Sequence, residues 1–245
     1  MKRLSIMIAC SLLAVVQPAS AATILTTYYG KIAEGYDRTG VFGAPETNLA
    51  GLDAVFTFLF DTDTPGAYYN STSTGSQLSG GSRYDIGSPG SATVTIGGKT
   101  ASIGGAYESY LARKDSGSYQ EIDNFAQDFA GPPGGMSNWV HGIASSTTND
   151  FVGGAGLLSD IDYKIATGTA TLADFQFYDP GKGFVGSVQA TGKMIVDRVT
   201  IQAFVAPVPE PSTWLMMIVG LGFVGAALRR KKTVSDQAEK GLQPA

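Results

Sequence analysis

The chain has 245 residues, of which 43% are hydrophobic and 16% charged. That apolar fraction excludes a disordered chain, and the length allows one sizeable core or two small ones. Residues 22–207 hold 10 Lys and Arg against 18 Asp and Glu, a net charge of −8, which leaves no electrostatic reason to bind nucleic acid or an anionic membrane surface.

The chain begins as an export signal does. Lys2 and Arg3 precede an apolar run over residues 4–16, followed by Pro18, Ala19, Ser20 and Ala21. A short cationic segment, an apolar stretch and small residues two apart make a signal peptide over residues 1–21. Ala19 and Ala21 define the cleavage site, with the cut after Ala21. The only cysteine, Cys10, lies inside that run. The mature protein is therefore expected to lack disulfides, a thiol nucleophile and any Cys-based metal site.

Residues 22–204 read as one all-β extracellular domain, an antiparallel β-sandwich or jelly roll. Residues 53–60 alternate Ala54, Phe56, Phe58 and Phe60 against Val55, Thr57 and Leu59, the period of a half-buried strand. Residues 91–96 set Val94 and Ile96 against Thr93 and Thr95. Residues 170–178 and 193–205 have a similar pattern. Gly-, Pro- and Ser-rich breaks fall at 64–66, 71–81, 87–90, 131–135 and 179–181, and strands at such spacing point to a sandwich. A short helix is expected near Gln120 to Phe129.

The chemistry-bearing residues are sparse. His141 is the only histidine, so a Ser-His-Asp triad would have to use it, and no Gly-x-Ser-x-Gly turn accompanies it. Asp61 with Asp63, and Asp160 with Asp162, place two carboxylates at alternate positions, where they can share a face and meet a hard cation. Neither pair follows a known ligand spacing: Pro65 stands at the fifth position of the first pair and Thr72 where a bidentate glutamate belongs. They are weak metal candidates, and no cofactor is expected. Tyr68, Tyr69, Tyr107, Tyr110 and Trp139 offer ring faces that suit either a core or a sugar platform.

Beyond a linker at 205–208, residues 209–232 change character. Pro209 and Pro211 flank Glu210 and forbid helix or sheet pairing there, so the backbone stays extended, as a processing enzyme requires. Residues 214–228 carry no charge; at about 1.5 Å per residue they make a helix of about 22 Å, somewhat short of the about 30 Å hydrocarbon core. Trp214 suits one interface. Arg229, Arg230, Lys231 and Lys232 suit the other and hold it cytoplasmic. A polar tail, residues 233–245, follows.

Pro209, Glu210, Pro211 and Trp214, the apolar span and the basic cluster together resemble the PEP-CTERM sorting domain of Gram-negative bacteria, a segment that also carries the label "ice-binding protein C-terminal domain". The resemblance covers residues 208–232, and the tail departs from the family's usual end. It implies export by the Sec machinery, transient anchoring in the inner membrane, recognition by an exosortase and delivery to the cell surface. It also implies an association with exopolysaccharide and biofilm. The expectation is a non-enzymatic surface or matrix protein. The alternatives are a carbohydrate- or calcium-binding module of the same fold, or an extracellular hydrolase.

Overall fold

Alternation of apolar and polar side chains dictates the strands, and every pairing is antiparallel. The computed structural model describes residues 22–130, 136–178, 189–205 and 221. It contains β1 (Ala22–Asp37), β2 (Thr47–Asn48), β3 (Asp53–Asp61), β4 (Tyr68–Ser71), β5 (Gly75–Gly80), β6 (Gly90–Ile96) and β7 (Lys99–Ile103). There follow β8 (Glu108–Asp115), β9 (Gln120–Ala130), β10 (Met136–Ser146), β11 (Ile161–Lys164), β12 (Thr169–Tyr178) and β13 (Gln189–Val205). A 3-10 turn spans Ser82–Tyr84. In β3, Ala54, Phe56, Phe58 and Phe60 are buried, as their spacing predicts.

The strands form one sheet in the order β4-β5-β8-β9-β10-β12-β13-β1-β3-β6-β7, with β2 on β1 and β11 on β13. The expected domain is thus all-β and sandwich-like, its strands forming one continuous antiparallel sheet curled into a half-barrel. β1 and β13 are long enough to serve several neighbours: β13 pairs β12 through its first half and β11 through its second. Curling needs an irregularity in so long a pair, and the register of β1 on β13 shifts between Tyr29 and Gly30. A Cβ on Gly30 would stand 1.9 Å from the Ile195 carbonyl oxygen, so only glycine permits this approach.

The inner faces meet in a core rich in aromatic rings. Phe42, Phe56 and Phe175 pack edge to face, at centroid distances of 5.4 Å for Phe42–Phe175 and 5.7 Å for Phe56–Phe175. Tyr28 reaches from β1 across the curl, where its hydroxyl donates to the Gly142 carbonyl at 2.9 Å and accepts from Asn124 Nδ2 at 2.7 Å. One side chain thereby ties the middle of the sheet to β9 and β10. Its ring occupies the space that a side chain at Gly142 would need: a Cβ there would lie 2.6 Å from Tyr28 Cε2.

Two loops complete the core. Asp37 ends β1 and organises the first. Its Oδ1 accepts from the Thr39 N–H and hydroxyl and the Gly40 N–H, and its Oδ2 from the Phe42 N–H. Burial alone would raise this carboxyl, but those hydrogen bonds hold it below its ordinary value. The result is that Phe42 turns into the core. The second loop, residues 147–160, inserts Phe151, Val152 and Leu157. Arg113, fully buried, fastens it by donating to the carbonyls of Gly156 and Ser159.

Two expectations are corrected. The segment near Gln120 to Phe129 is not a helix but strand β9, with Gln120, Ile122, Asn124 and Ala126 buried at period two. The break at 71–81 contains strand β5, whose small residues permit close approach: a Cβ on Gly80 would meet the Gly87 oxygen at 1.9 Å. Among the described residues no helix is long and apolar enough to cross a membrane. The signal peptide, the breaks at 131–135 and 179–181, and all of the expected membrane span at 214–228 but residue 221 lie outside the described residues.

Candidate functional site

The two aspartate pairs serve the fold. Asp61 Oδ1 accepts from the Asp63 N–H at 2.9 Å, and the Asp61 carbonyl accepts from the Thr64 hydroxyl at 3.1 Å. This is the turn-forming use of aspartate. Asp162 makes a bidentate pair with Arg198, at 2.7 and 2.6 Å, which lowers the carboxyl below its ordinary range. Asp160 Oδ1 accepts from the Ala203 N–H at 2.9 Å. Asp61, Asp160 and Asp162 are engaged by their own neighbours, and among the described residues no three His, Cys, Asp or Glu side chains gather as a metal would need.

A different group of side chains converges on the outer face, opposite the core. Strand register creates two rows there. In the first, Phe125, His141, Asp174, Lys193 and Glu34 lie side by side on β9, β10, β12, β13 and β1. In the second, Trp139, Gln176, Thr191 and Tyr36 are aligned across β10, β12, β13 and β1. Tyr110 stacks on Phe125 at 5.5 Å and extends the first row onto β8.

His141 is the electrostatic centre of the first row. Its Nε2 lies 3.0 Å from Asp123 Oδ1 and its Nδ1 lies 3.6 Å from Asp174 Oδ1. Burial opposes charge on the ring, but hydrogen bonding to Asp123 and Asp174 outweighs it and pushes the pKa up to about 9. The imidazole is therefore a cation at neutral pH with a carboxylate at each nitrogen. That arrangement occupies both nitrogens, so the ring is poorly placed to act as a general base. Lys193 in turn pairs with Glu34 at 3.0 Å.

Between the rows runs a shallow groove of about 370 Å³, with Trp139 at one end and Tyr36 at the other. Its floor crosses Phe175, Gly192 and Gly35, which are aligned in register. Gly192 fits because a Cβ there would stand 2.9 Å from the Phe175 ring.

Of the aromatic candidates, the fold brings Tyr110 and Trp139 to this outer face. Tyr107 instead packs against Phe129 at 4.2 Å, and Tyr68 and Tyr69 are exposed on the edge strand β4. Asp123, Asp174, Lys193, Glu34 and Tyr36 are not recognisable from sequence, because only the pairing of four or five strands joins them. The one available signal was alternation of charged with apolar residues in β12 and β13.

The sorting residues Pro209, Glu210, Pro211 and Trp214, the basic cluster Arg229, Arg230, Lys231 and Lys232, and the cleavage residues Ala19 and Ala21 lie outside the described residues. A family model described as the PEP-CTERM protein-sorting motif matches residues 207–231. No curated protein and no solved structure matches the chain. The chain thus carries at residues 207–231 a PEP-CTERM protein-sorting motif, which implies an exported exosortase target that is anchored in the membrane before processing.

Proposed function

We propose that this chain is a non-enzymatic cell-surface or extracellular-matrix protein, carried out of the cell by its N-terminal signal and cut by an exosortase at its C-terminal motif. The motif at residues 207–231 carries this reading. Its chemistry supports it. Two prolines keep the backbone open, and Glu210 is the only charged residue between Arg198 and Arg229, a single handle for a basic group in the enzyme. The apolar span and the four cations after it fix the depth at which Glu210 stands. A rigid, closely packed β-domain with its only histidine held between two carboxylates supports a structural or binding role over catalysis. Association with exopolysaccharide is part of the proposal.

Fractionation and immunoblotting in an exosortase-bearing host test it. Glu210→Gln should leave an uncut, membrane-bound precursor, and neutralising Arg229 to Lys232 should disturb retention and orientation. If both variants are cut and released like the parent, the segment is a permanent anchor and the proposal fails.

One observation favours a second reading, a carbohydrate-binding module: the groove joining Trp139 and Tyr36 on the outer face. Calcium has less support, since Asp160 and Asp162 are engaged by β13.

A further inference from the structure

We propose that the outer-face groove between Trp139 and Tyr36 binds a neutral glycan chain laid across strands β10, β12, β13 and β1. The inference rests on the carbohydrate-binding reading and specifies its site and ligand class.

Four features of the groove carry it. Its volume, about 370 Å³, falls within the range of about 300–1,000 Å³ typical of small-molecule sites. It is open and elongated, because it follows a cross-strand row and not a closed pocket. Trp139 and Tyr36 are three strand spacings apart in that row, or about 14 Å at about 4.8 Å per spacing. A chain of pyranose rings has apolar C–H faces and hydroxyl edges. Rings at the two ends of the groove can take the faces, and the polar residues between them can take the edges.

Those polar residues offer both halves of the hydrogen bonding that a hydroxyl demands. Thr191 and Lys193 donate. Asp174, which lines the groove, accepts through its other carboxylate oxygen, since its Oδ1 is buried and faces His141 Nδ1 at 3.6 Å.

Charge decides between a neutral and an acidic chain. Asp123, Asp174 and Glu34 face His141 and Lys193 across the groove and its border, and these five charges are already internally paired. Among the described residues the groove's lining holds one cation, Lys193, which is paired with Glu34, while Arg38 stacks over the Tyr36 ring at 5.7 Å, and residues 22–207 carry a net −8. An anionic polymer would be repelled, whereas a neutral chain meets ordered acceptors and donors without that penalty. The cationic His141 holds the Asp174 carboxylate in place as a positioning residue and does not itself touch the ligand.

The test is calorimetric titration of the full chain in a polyoxyethylene detergent, which carries no sugar headgroup to compete. The probes are cellohexaose, xylohexaose and mannohexaose, with an alginate hexamer as the acidic comparison. At least one neutral hexamer should bind. Trp139→Ala should weaken that binding by about tenfold or more, as truncating an aromatic anchor does. Trp139→Phe, which keeps a ring, should retain most of it, and Asp174→Asn should weaken it several-fold. Thermal melting of each variant shows whether it is folded.

Absence of heat with all three neutral hexamers overturns the inference. Parent-like binding by folded Trp139→Ala overturns it too, as does tighter binding of alginate. A chain that is exported and cut normally yet binds none of the probes defeats this inference while leaving the sorting function intact.

Discussion

Replacing Tyr28 by Phe removes a single oxygen from the centre of the fold and isolates the contribution of the tie across the curl. The Tyr28 hydroxyl is buried and serves two partners, donating to the Gly142 carbonyl and accepting from Asn124 Nδ2. Asn124 is itself fully buried, and its Oδ1 has no partner. The variant therefore strands the Asn124 amide in the core, at about 1–3 kcal/mol for an unsatisfied buried donor. The Gly142 carbonyl loses less, because its second lone pair remains available to the strand ladder. Phe keeps the ring and its edge-to-face contact with Phe58 at 6.0 Å, so no cavity forms. A net loss of about 2 kcal/mol lowers the melting temperature by about 4–8 °C in a domain of this size. Thermal unfolding followed by circular dichroism measures it. The double variant Tyr28→Phe, Asn124→Leu removes both polar partners together and should recover a good part of the loss. A melting temperature unchanged within a degree in Tyr28→Phe would refute the claim that this bond network holds the two sides of the curl together.

Three further predictions concern the charged and metal-candidate groups. His141 has its folded pKa raised to about 9 from 6.5, so its stabilisation is complete below about pH 6.5 and is lost as the pH rises through 9, amounting to at most about 3 kcal/mol. The melting-temperature difference between the parent and His141→Gln should therefore shrink from pH 6 to pH 9.5; a constant or growing difference contradicts the assignment. Asp37 has its carboxyl lowered, so its stabilisation is present above the unfolded value and lost as the pH falls through the folded one. Asp37→Asn sets an amide against the Phe42 N–H and should destabilise the fold by about 1–3 kcal/mol at neutral pH, measured by urea unfolding. Calcium should leave the melting temperature unchanged, because Asp61, Asp160 and Asp162 are engaged by their own turn and by β13; a rise of several degrees would reveal a native-state site.

The strands with the plainest apolar alternation were legible in the sequence, whereas β1, β8 and β10 were not named and strands that bury polar residues were missed. β3 announces itself through Ala54, Phe56, Phe58 and Phe60. β9 buries Gln120 and Asn124 beside Ile122 and Ala126, because Gln120 Oε1 accepts from the Val152 N–H and Asn124 from β9 donates to Tyr28. Those partners lie far along the chain, so the pattern passed for a helix. β5 is built from Gly, Ser, Gln and a single Leu, which resembles a loop until Gly80 is seen against the Gly87 oxygen. The curl of the sheet depends on register shifts such as that at Gly30, and no local signal reports register.

The same division holds for function. The sorting motif is contiguous, so residues 208–232 could be read directly and the family model covers nearly the same stretch. The groove could not be read, since Trp139, Asp174, Lys193 and Tyr36 become neighbours only through pairing of β10, β12, β13 and β1. The aromatic candidates gave part of it, Trp139 itself, but mixed it with Tyr68 and Tyr69 on the far edge.

Whether the two ends of the chain are address labels is decided most directly by the mass of the protein recovered outside the inner membrane of an exosortase-bearing host. Removal of residues 1–21 and of the apolar span with its basic cluster should leave a species that begins at Ala22 and ends within the segment 205–214. A recovered protein that still carries Met1, or one that retains Arg229 to Ala245 after release, would contradict export and processing through these signals.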